Sequence, residues 1–386
     1  MNVLYISDSD SKYGASKSML YTLKGLKQLY GDKVKIYLLI PFKLRHNRHM
    51  YEAYCEKVIC KVFGQYCQSR PYSKLVFPIK VVLKYIEYAI GTINIELFLN
   101  RSIKFDEIDL IHSNSSRDDI GIRLARKYNK RLIWHIREYG DSDFNCFHFR
   151  NDYIDLMNDS RTLLVAVSDS VRNHWINRGI IPNKIITIYN GIACEKCRDY
   201  GCFQGERIKI LMLGGISEAK CQKHLIEAIA LMDNYTKSQV LLDIVGDGNK
   251  KYMSELKKLV KKYNLGTVVK FIGYVPNPEK IIGQYDVGVI CSKSEAFGRV
   301  TVEYMMHGLL VVASDSGANK EIIREGVDGF IYKWGDCENL AQCIKRIISD
   351  KRLIPEFGGN AHERAVNDFS SEKNIRKIFY LYSEFV

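Results

Sequence analysis

The sequence predicts two α/β domains, each built on a doubly wound parallel sheet. Three observations carry that expectation. Short apolar runs alternate with longer stretches at helical spacing along most of the 386 residues. The runs end in polar or glycine-containing turns, where open α/β sheets gather their ligand loops. A stretch rich in glycine, charge and cysteine, from Ile192 to Glu206, separates two such series and reads as a linker. Residues 1–200 are therefore expected to form an N-terminal domain, residues 201–370 a second one, and residues 371–386 a final helix. A chain of this length can bury two cores.

Composition narrows the function classes. Lys and Arg number 57 against 44 Asp and Glu, a net charge of +13. The surplus is uneven, with 31 cations against 21 carboxylates in residues 1–200 and 26 against 23 in the rest. The first half thus prefers an anionic partner. No nucleic-acid-binding motif accompanies the charge, so nucleic acid is not expected. An anionic membrane surface or a lipid-diphosphate acceptor fits a basic face better. The N-terminus, Met1-Asn-Val-Leu-Tyr-Ile-Ser, already reads as a strand and lacks the pattern of a signal peptide. The apolar region Leu75–Leu99 is interrupted by Lys80, Lys84, Glu87 and Glu96, which argues against a spanning helix. A cytoplasmic location follows as the expectation, with peripheral contact to a membrane. Eleven cysteines, among them Cys194, Cys197 and Cys202, lack a fourth zinc ligand at matching spacing and read as thiols.

In chain order, Asn2–Ser7 reads as a strand, Asp8–Gly14 as a loop and Ala15–Tyr30 as an amphipathic helix. The loop lacks the G-x-G-x-x-G set, which disfavours a dinucleotide site. Lys35–Ile40 is the second strand. Residues 45–104 read as helical, basic and aromatic, with an amphipathic Val76–Leu97 whose apolar face packs on the sheet or touches lipid. Asp109–His112, Arg131–Ile136, Leu163–Val167 and Lys184–Tyr189 complete the first series. His135 falls at a strand's carboxyl end, and Arg137 and Glu138 beside it are expected to pair with one another. Ser168 reads as a helix N-cap. The second series runs through Ile208–Leu213, Val240–Val245, Val268–Gly273, Asp286–Cys291 and Leu309–Ala313, and helices fill Glu338–Val386.

The most informative stretch is Ser292–Gly308, Ser-Lys-Ser-Glu-Ala-Phe-Gly-Arg-Val-Thr-Val-Glu-Tyr-Met-Met-His-Gly. It reads as a loop after a buried strand, followed by a helix from Phe297 with Ser294 as its N-cap. A helix start holds anions through its unpaired amides and dipole, and Gly298 lets backbone approach a ligand. Glu295 lies in the loop and Glu303 about a turn and a half into the helix. Carboxylates repel a diphosphate but accept hydrogen bonds from hydroxyls. Phosphate at the amides, sugar hydroxyls at Glu295 and ribose hydroxyls at Glu303 satisfy both, which points to a nucleotide-sugar.

Glu295 and Glu303, seven residues apart, with Phe297-Gly298 between them and His307-Gly308 after, resemble the Glu-x7-Glu motif of retaining glycosyltransferases of family four. This is the glycogen-synthase-like group with the GT-B fold, two Rossmann-like domains facing a cleft. The resemblance implies a transferase that moves a sugar from a nucleotide-diphosphate sugar to a glycan or lipid-linked acceptor and keeps the anomeric configuration. It makes His135 the N-domain active-site histidine, Lys220 the diphosphate lysine, Gly14 part of a loop near donor and acceptor, and Tyr274 and Val275 backbone contacts to the base. It also implies that the last helix, Ser371–Phe385, crosses back to the first domain. One departure stands out. Gly215 occupies the place of an arginine that the family uses on the diphosphate, so Lys220, the Phe297-Gly298 amides, Arg299 or Lys293 must carry that charge. No cofactor and no metal are expected. The pairs Asp8/Asp10 and Asp141/Asp143 read as polar loop residues rather than cation ligands. Two other readings of the same site are a sugar-nucleotide epimerase and a non-catalytic sugar-nucleotide-binding protein.

Overall fold

The computed structural model describes residues 1–8, 14–69, 77–140, 143, 146–193, 203 and 205–386. Cys194, Cys197, Cys202, Asp10 and Asp141 lie outside them. The chain divides into two compact units, one of Met1–Gly191 with Ser371–Val386, the other of Ile192–Ser370.

Fifteen strands are described, in chain order β1 Asn2–Ile6, β2 Lys35–Pro41, β3 Lys57–Lys61, β4 Cys67–Ser69, β5 Leu110–Ser113, β6 Arg131–Ile136, β7 Cys146–His148, β8 Thr162–Ala166, β9 Ile185–Thr187, β10 Ile208–Leu213, β11 Val240–Val245, β12 Val269–Gly273, β13 Val287–Ile290, β14 Leu310–Ser314 and β15 Gly329–Tyr332.

The first unit holds a seven-stranded sheet in the order β3-β2-β1-β5-β6-β8-β9, with parallel pairing. Its central strands are buried on both faces, as helix-covered parallel sheets require. The order reverses between β1 and β5, so the crevice at their carboxyl ends, by Ser7 and Asn114, is where such a sheet can take a ligand. Helix α1 (Gly14–Tyr30) follows β1 and buries Met19, Leu23 and Leu26 in the core. The C-terminal helix Ser371–Phe385 packs on α1. The contact is close: a Cβ on Gly25 would fall 1.9 Å from Ile375 Cδ1, so a larger residue there would require the Ile375 side chain to move. Tyr30 and Phe379 stack at 3.6 Å in the same contact. Helix α2 (Phe77–Phe98) buries Tyr88, Gly91 and Ile95, and α3 (Ile120–Lys127) covers β5 and β6. A small antiparallel pair, β4 with β7, adds a second sheet.

The second unit holds a six-stranded sheet in the order β12-β11-β10-β13-β14-β15. Its reversal lies between β10 and β13, so the loops after those two strands meet at the switch point. Tyr304 fixes the helix that follows β13. A Cβ on Gly288 would come within 2.1 Å of its ring, and its hydroxyl accepts from Leu213 N at 2.7 Å and donates to Leu211 O at 3.2 Å.

The structure shifts most predicted strands by a residue or less, and adds β3, β4, β7 and β15. Among the described residues no helix is long and apolar enough to cross a membrane. Cys55 and Cys60 are free thiols, and burial pushes Cys55 up to about 12.

Candidate functional site

The site in the second unit grows from two loops. The first follows β10 and runs Gly214-Gly215-Ile216-Ser217 into a single 3-10 turn, Glu218–Lys220. Gly214 N donates to Val245 O and Ile216 N to Asp247 O, both at 2.9 Å. These bonds zip the loop to the one after β11. The approach is close enough that a Cβ on Gly246 would sit 1.9 Å from Gly214 O, and Gly246 adopts φ +147. Cys221, left-handed at φ 51, turns the chain into the helix Gln222–Ala230. Lys220 is thereby held on a short rigid arm.

The second loop follows β13 and carries Glu295. Lys293 N donates to Ala219 O at 2.9 Å, tying this loop to the first. Lys220 Nζ then meets Glu295 Oε1 at 2.5 Å, with the lysine 36% and the carboxylate 14% exposed. This ion pair spans the switch point of the sheet. The helix after the loop is Arg299–Met306, two residues shorter at its start than the sequence suggests. Ser294 is not its cap. Gly298, at φ 74, occupies the N-cap position and offers no side chain. Phe297, buried in the loop, packs edge-on to Phe369 with centroids 6.0 Å apart. Its burial imitates the helical period in sequence without being helical.

Glu303 stands on the first turns of that helix and pairs with Arg299 at 3.0 Å, both about one-sixth exposed. Of the other cations expected to compensate for Gly215, Lys293 lies over the Trp334 ring at 5.7 Å. At Gly215 itself a Cβ would have Asp247 O at 3.8 Å as its nearest neighbour, ordinary contact distance. A Cβ at this position therefore meets no clash.

A network of contacts that the sequence does not encode locally, centred on the Ser314–Glu321 stretch that the family resemblance places near the donor site, holds Glu295 in place. Ala318 N donates to Glu295 O at 2.9 Å. Gly317, at φ +61, lies so close that a Cβ would fall 2.2 Å from the same oxygen. Ser314 Oγ donates to Ser292 O at 2.8 Å, Asn319 Nδ2 to Ser314 O at 3.0 Å, and Thr301 Oγ1 to Asn319 Oδ1 at 3.0 Å. All of Ser314, Thr301 and Asn319 are buried. The available signal was the Ser314–Glu321 stretch, whose polar residues follow an apolar strand too closely for an ordinary surface loop. Tyr274 follows β12 and is 72% exposed, and Val275 beside it is half-buried.

The first unit places its predicted residues differently. Gly14 opens α1. His135 is 1% exposed on β6, stacked with His112 at 5.5 Å, and its Nε2 has no hydrogen-bond partner. Burial, then the charge of Arg137, then His112, holds its pKa well below the usual histidine range. Arg137 and Glu138 have separate partners rather than serving chiefly as a pair. Arg137 Nε donates to Asn114 Oδ1 at 2.9 Å and Nη1 to Asn190 Oδ1 at 2.5 Å. Glu138 Oε1 accepts from Ser116 N and Ser116 Oγ, each at 2.7 Å. Successive residues leaving a strand point to opposite sides, which separates the two groups. Tyr382, from the C-terminal helix, reaches His112 Nδ1 at 2.6 Å. Among the described residues no three His, Cys, Asp or Glu side chains are grouped to hold a metal ion.

Two family models match the chain. "Glycosyl transferases group 1" covers residues 198–364, and "Glycosyltransferase Family 4" covers residues 66–196. A curated relative, N-acetyl-alpha-D-glucosaminyl L-malate synthase of Bacillus anthracis, is 26% identical over 57% of this chain and 59% of its own length. The lipopolysaccharide core biosynthesis glycosyltransferase LpsE of Rhizobium meliloti is 29% identical over 42% of this chain and 46% of its own. The chain thus spans about half the length of these two relatives. Among solved structures, Anabaena HepE in complex with UDP-glucose matches with a TM-score of 0.72 over the whole of both chains at 22% identity, a likeness of fold.

Proposed function

Because the chain belongs to the family-four type of glycosyltransferases, with the GT-B fold, we propose that it is a retaining enzyme of cell-surface polysaccharide assembly. It moves a sugar from a nucleotide-diphosphate sugar to a glycan or lipid-linked acceptor. The observation that carries this reading is the Lys220–Glu295 ion pair, a cation and a carboxylate held together where the sheet order reverses.

The pair suits a donor that has both phosphate and hydroxyls. In the absence of donor each group neutralises the other. A bound diphosphate draws Lys220 toward its oxygens, and Glu295 turns its acceptor lone pairs to the sugar hydroxyls. Glu303 accepts from the ribose hydroxyls, and its partner Arg299 is one turn nearer the helix start. The Phe297 and Gly298 amides add donors at that start. Tyr274 and Val275, after β12 in the same unit, border the base. Departure of the diphosphate builds negative charge on the leaving group, and Lys220 stabilises that charge as it develops. The leaving phosphate takes the acceptor proton, so no protein nucleophile is required. Lysine and amides do this without a metal or cofactor. Relatives named for lipopolysaccharide core and for capsular polysaccharide biosynthesis support the choice of acceptor class.

The test is donor hydrolysis and transfer measured across UDP-, GDP- and ADP-sugars, with the anomeric configuration of the product read by NMR. Turnover of one donor class with retained configuration is the expected outcome. Tight nucleotide binding without any turnover would replace the transferase by a binding protein, and an inverted product would remove the retaining mechanism.

A further inference from the structure

Helix α2 carries an apolar stripe on the outside of its unit. Ile79, Leu83, Ile86, Ile90, Ile93 and Leu97 are each 47–63% exposed. Their spacing of three, four and seven residues lines them on one face of a helix, over about 27 Å of its length. The opposite face holds the buried Tyr88, Gly91 and Ile95. It is pressed so closely onto the β3–β4 connection that a Cβ on Gly91 would lie 2.5 Å from Phe63 Cα. The stripe therefore cannot roll inward. Six large apolar side chains in one exposed row mark an interaction surface.

Charge decides what covers it. Residues 42–104 hold 11 Lys and Arg against four Asp and Glu, a surplus of seven out of the chain's thirteen. A second copy would set this surplus against itself, whereas an anionic surface would meet it. A cavity of about 490 Å³ opens beside the C-terminal half of the stripe, lined by Arg123, Arg126, Lys127, Arg150 and the α2 residue Glu96. Lys127 Nζ donates to the Glu96 carbonyl, which ties the cavity wall to the helix. The lining cations have protein partners, Arg123 in Asp119 and Glu96, Arg126 in Asp159 and Arg150 in Asp152, so a phosphate headgroup would share them with those carboxylates. A cation-lined cavity on the flank of an exposed apolar helix then offers a place for a headgroup beside a place for acyl chains.

We propose that α2 lies in the plane of an anionic bilayer, with its stripe among the acyl chains and a lipid phosphate headgroup in the Arg123–Arg126–Lys127–Arg150 cavity. This goes beyond the transferase reading and does not rest on it. It places the enzyme on the surface where a lipid-linked acceptor would be held.

The experiment is co-sedimentation of the full chain with vesicles of phosphatidylglycerol and phosphatidylcholine in equal parts, and with phosphatidylcholine alone. The chain should partition into the mixed vesicles at least tenfold more strongly. Ile86→Asp with Ile90→Asp should abolish that binding. Arg126→Gln and Lys127→Gln should lower binding to the mixed vesicles alone, by about fivefold for each cation removed. Ile90→Ser, a milder change, should weaken binding in proportion and covers the case in which the double aspartate variant does not fold. Donor hydrolysis and melting temperature should stay at wild-type values in the folded variants. Equal binding to both vesicle types, no binding to either, or wild-type binding by the stripe variants would overturn the proposal. So would a wild-type dimer that these variants dissociate, since a second copy would then cover the stripe.

Discussion

The two sheets share a topology and use the carboxyl ends of their strands in opposite ways. In the second unit the charges at the switch point are paired across separate loops and still touch solvent, Lys220 at 36% and Glu295 at 14% exposure. Such a pair can trade partners when a ligand arrives, because water and the ligand replace what each group loses. In the first unit the described polar side chains of the same region are buried. Asn114, His112, His135 and Arg137 are buried and interlocked, and burial drives both histidines toward the neutral form. Asp118 is fully buried, and burial, with the nearby Asp8 and Asp119, raises its pKa well above the usual range against the opposing effect of a backbone hydrogen bond from Ile120. The difference teaches that a shared fold fixes where polar groups collect but not whether they are exchangeable. Exchangeable pairs suit chemistry on a charged donor, and buried networks suit shape.

The largest effect expected from breaking this contrast is at Lys220. Lys220→Ala should lower turnover roughly a hundred- to a thousand-fold, the range for one preorganised group aimed at developing charge. Affinity for the free nucleoside should change little, because the lysine serves the phosphates. Steady-state kinetics beside calorimetry separates the two. Next comes Glu303→Ala, which should weaken nucleotide binding by about 1.5–3 kcal/mol while the melting temperature stays near wild type. An unchanged nucleotide affinity would detach Glu303 from the ribose.

The first unit gives a smaller effect of opposite sign. Asp118 has a raised folded pKa, so its contribution to stability is present below the unfolded value of 3.8 and is lost as pH rises through the folded value. At neutral pH the raised pKa is a burden on the fold, since the unfolded chain gives up the proton more readily. Asp118→Asn should therefore raise stability by on the order of 1 kcal/mol at pH 7 to 8, and the gain should shrink toward pH 4. Denaturant melts at both ends of that range would show it. A gain that is the same at every pH would assign the effect to packing. The smallest expected effect is that of chelator. Turnover in excess EDTA should match turnover without it, whereas loss restored by magnesium or manganese would bring a metal into the mechanism.

Much of this was legible in the sequence because buried parallel strands are short, apolar and bounded by polar turns. β6, β10 and β11 match their predicted limits for that reason. β3 escaped because it is a partly exposed edge strand of five residues, and β15 because it is an edge strand of only four, though mostly buried. The pairing of Lys220 with Glu295 joins residues 75 apart, and no local period encodes it. The same holds for the Ser314–Asn319–Thr301 network. Residue types at those positions were visible, but the contacts that give them meaning are set by the order of strands in the sheet.

The central claim is that Lys220, facing Glu295 across the switch point, is the cation that the leaving diphosphate relies on, with Gly215 a position where a Cβ meets no clash. The most direct measurement is turnover of Lys220→Ala, Gly215→Arg and the double variant with the preferred donor. Lys220→Ala should lose most of its turnover, and Gly215→Arg, entering a position whose nearest neighbour to a Cβ is 3.8 Å away, should restore part of it. Lys220→Ala turning over at the wild-type rate would contradict the claim and place the phosphate site elsewhere.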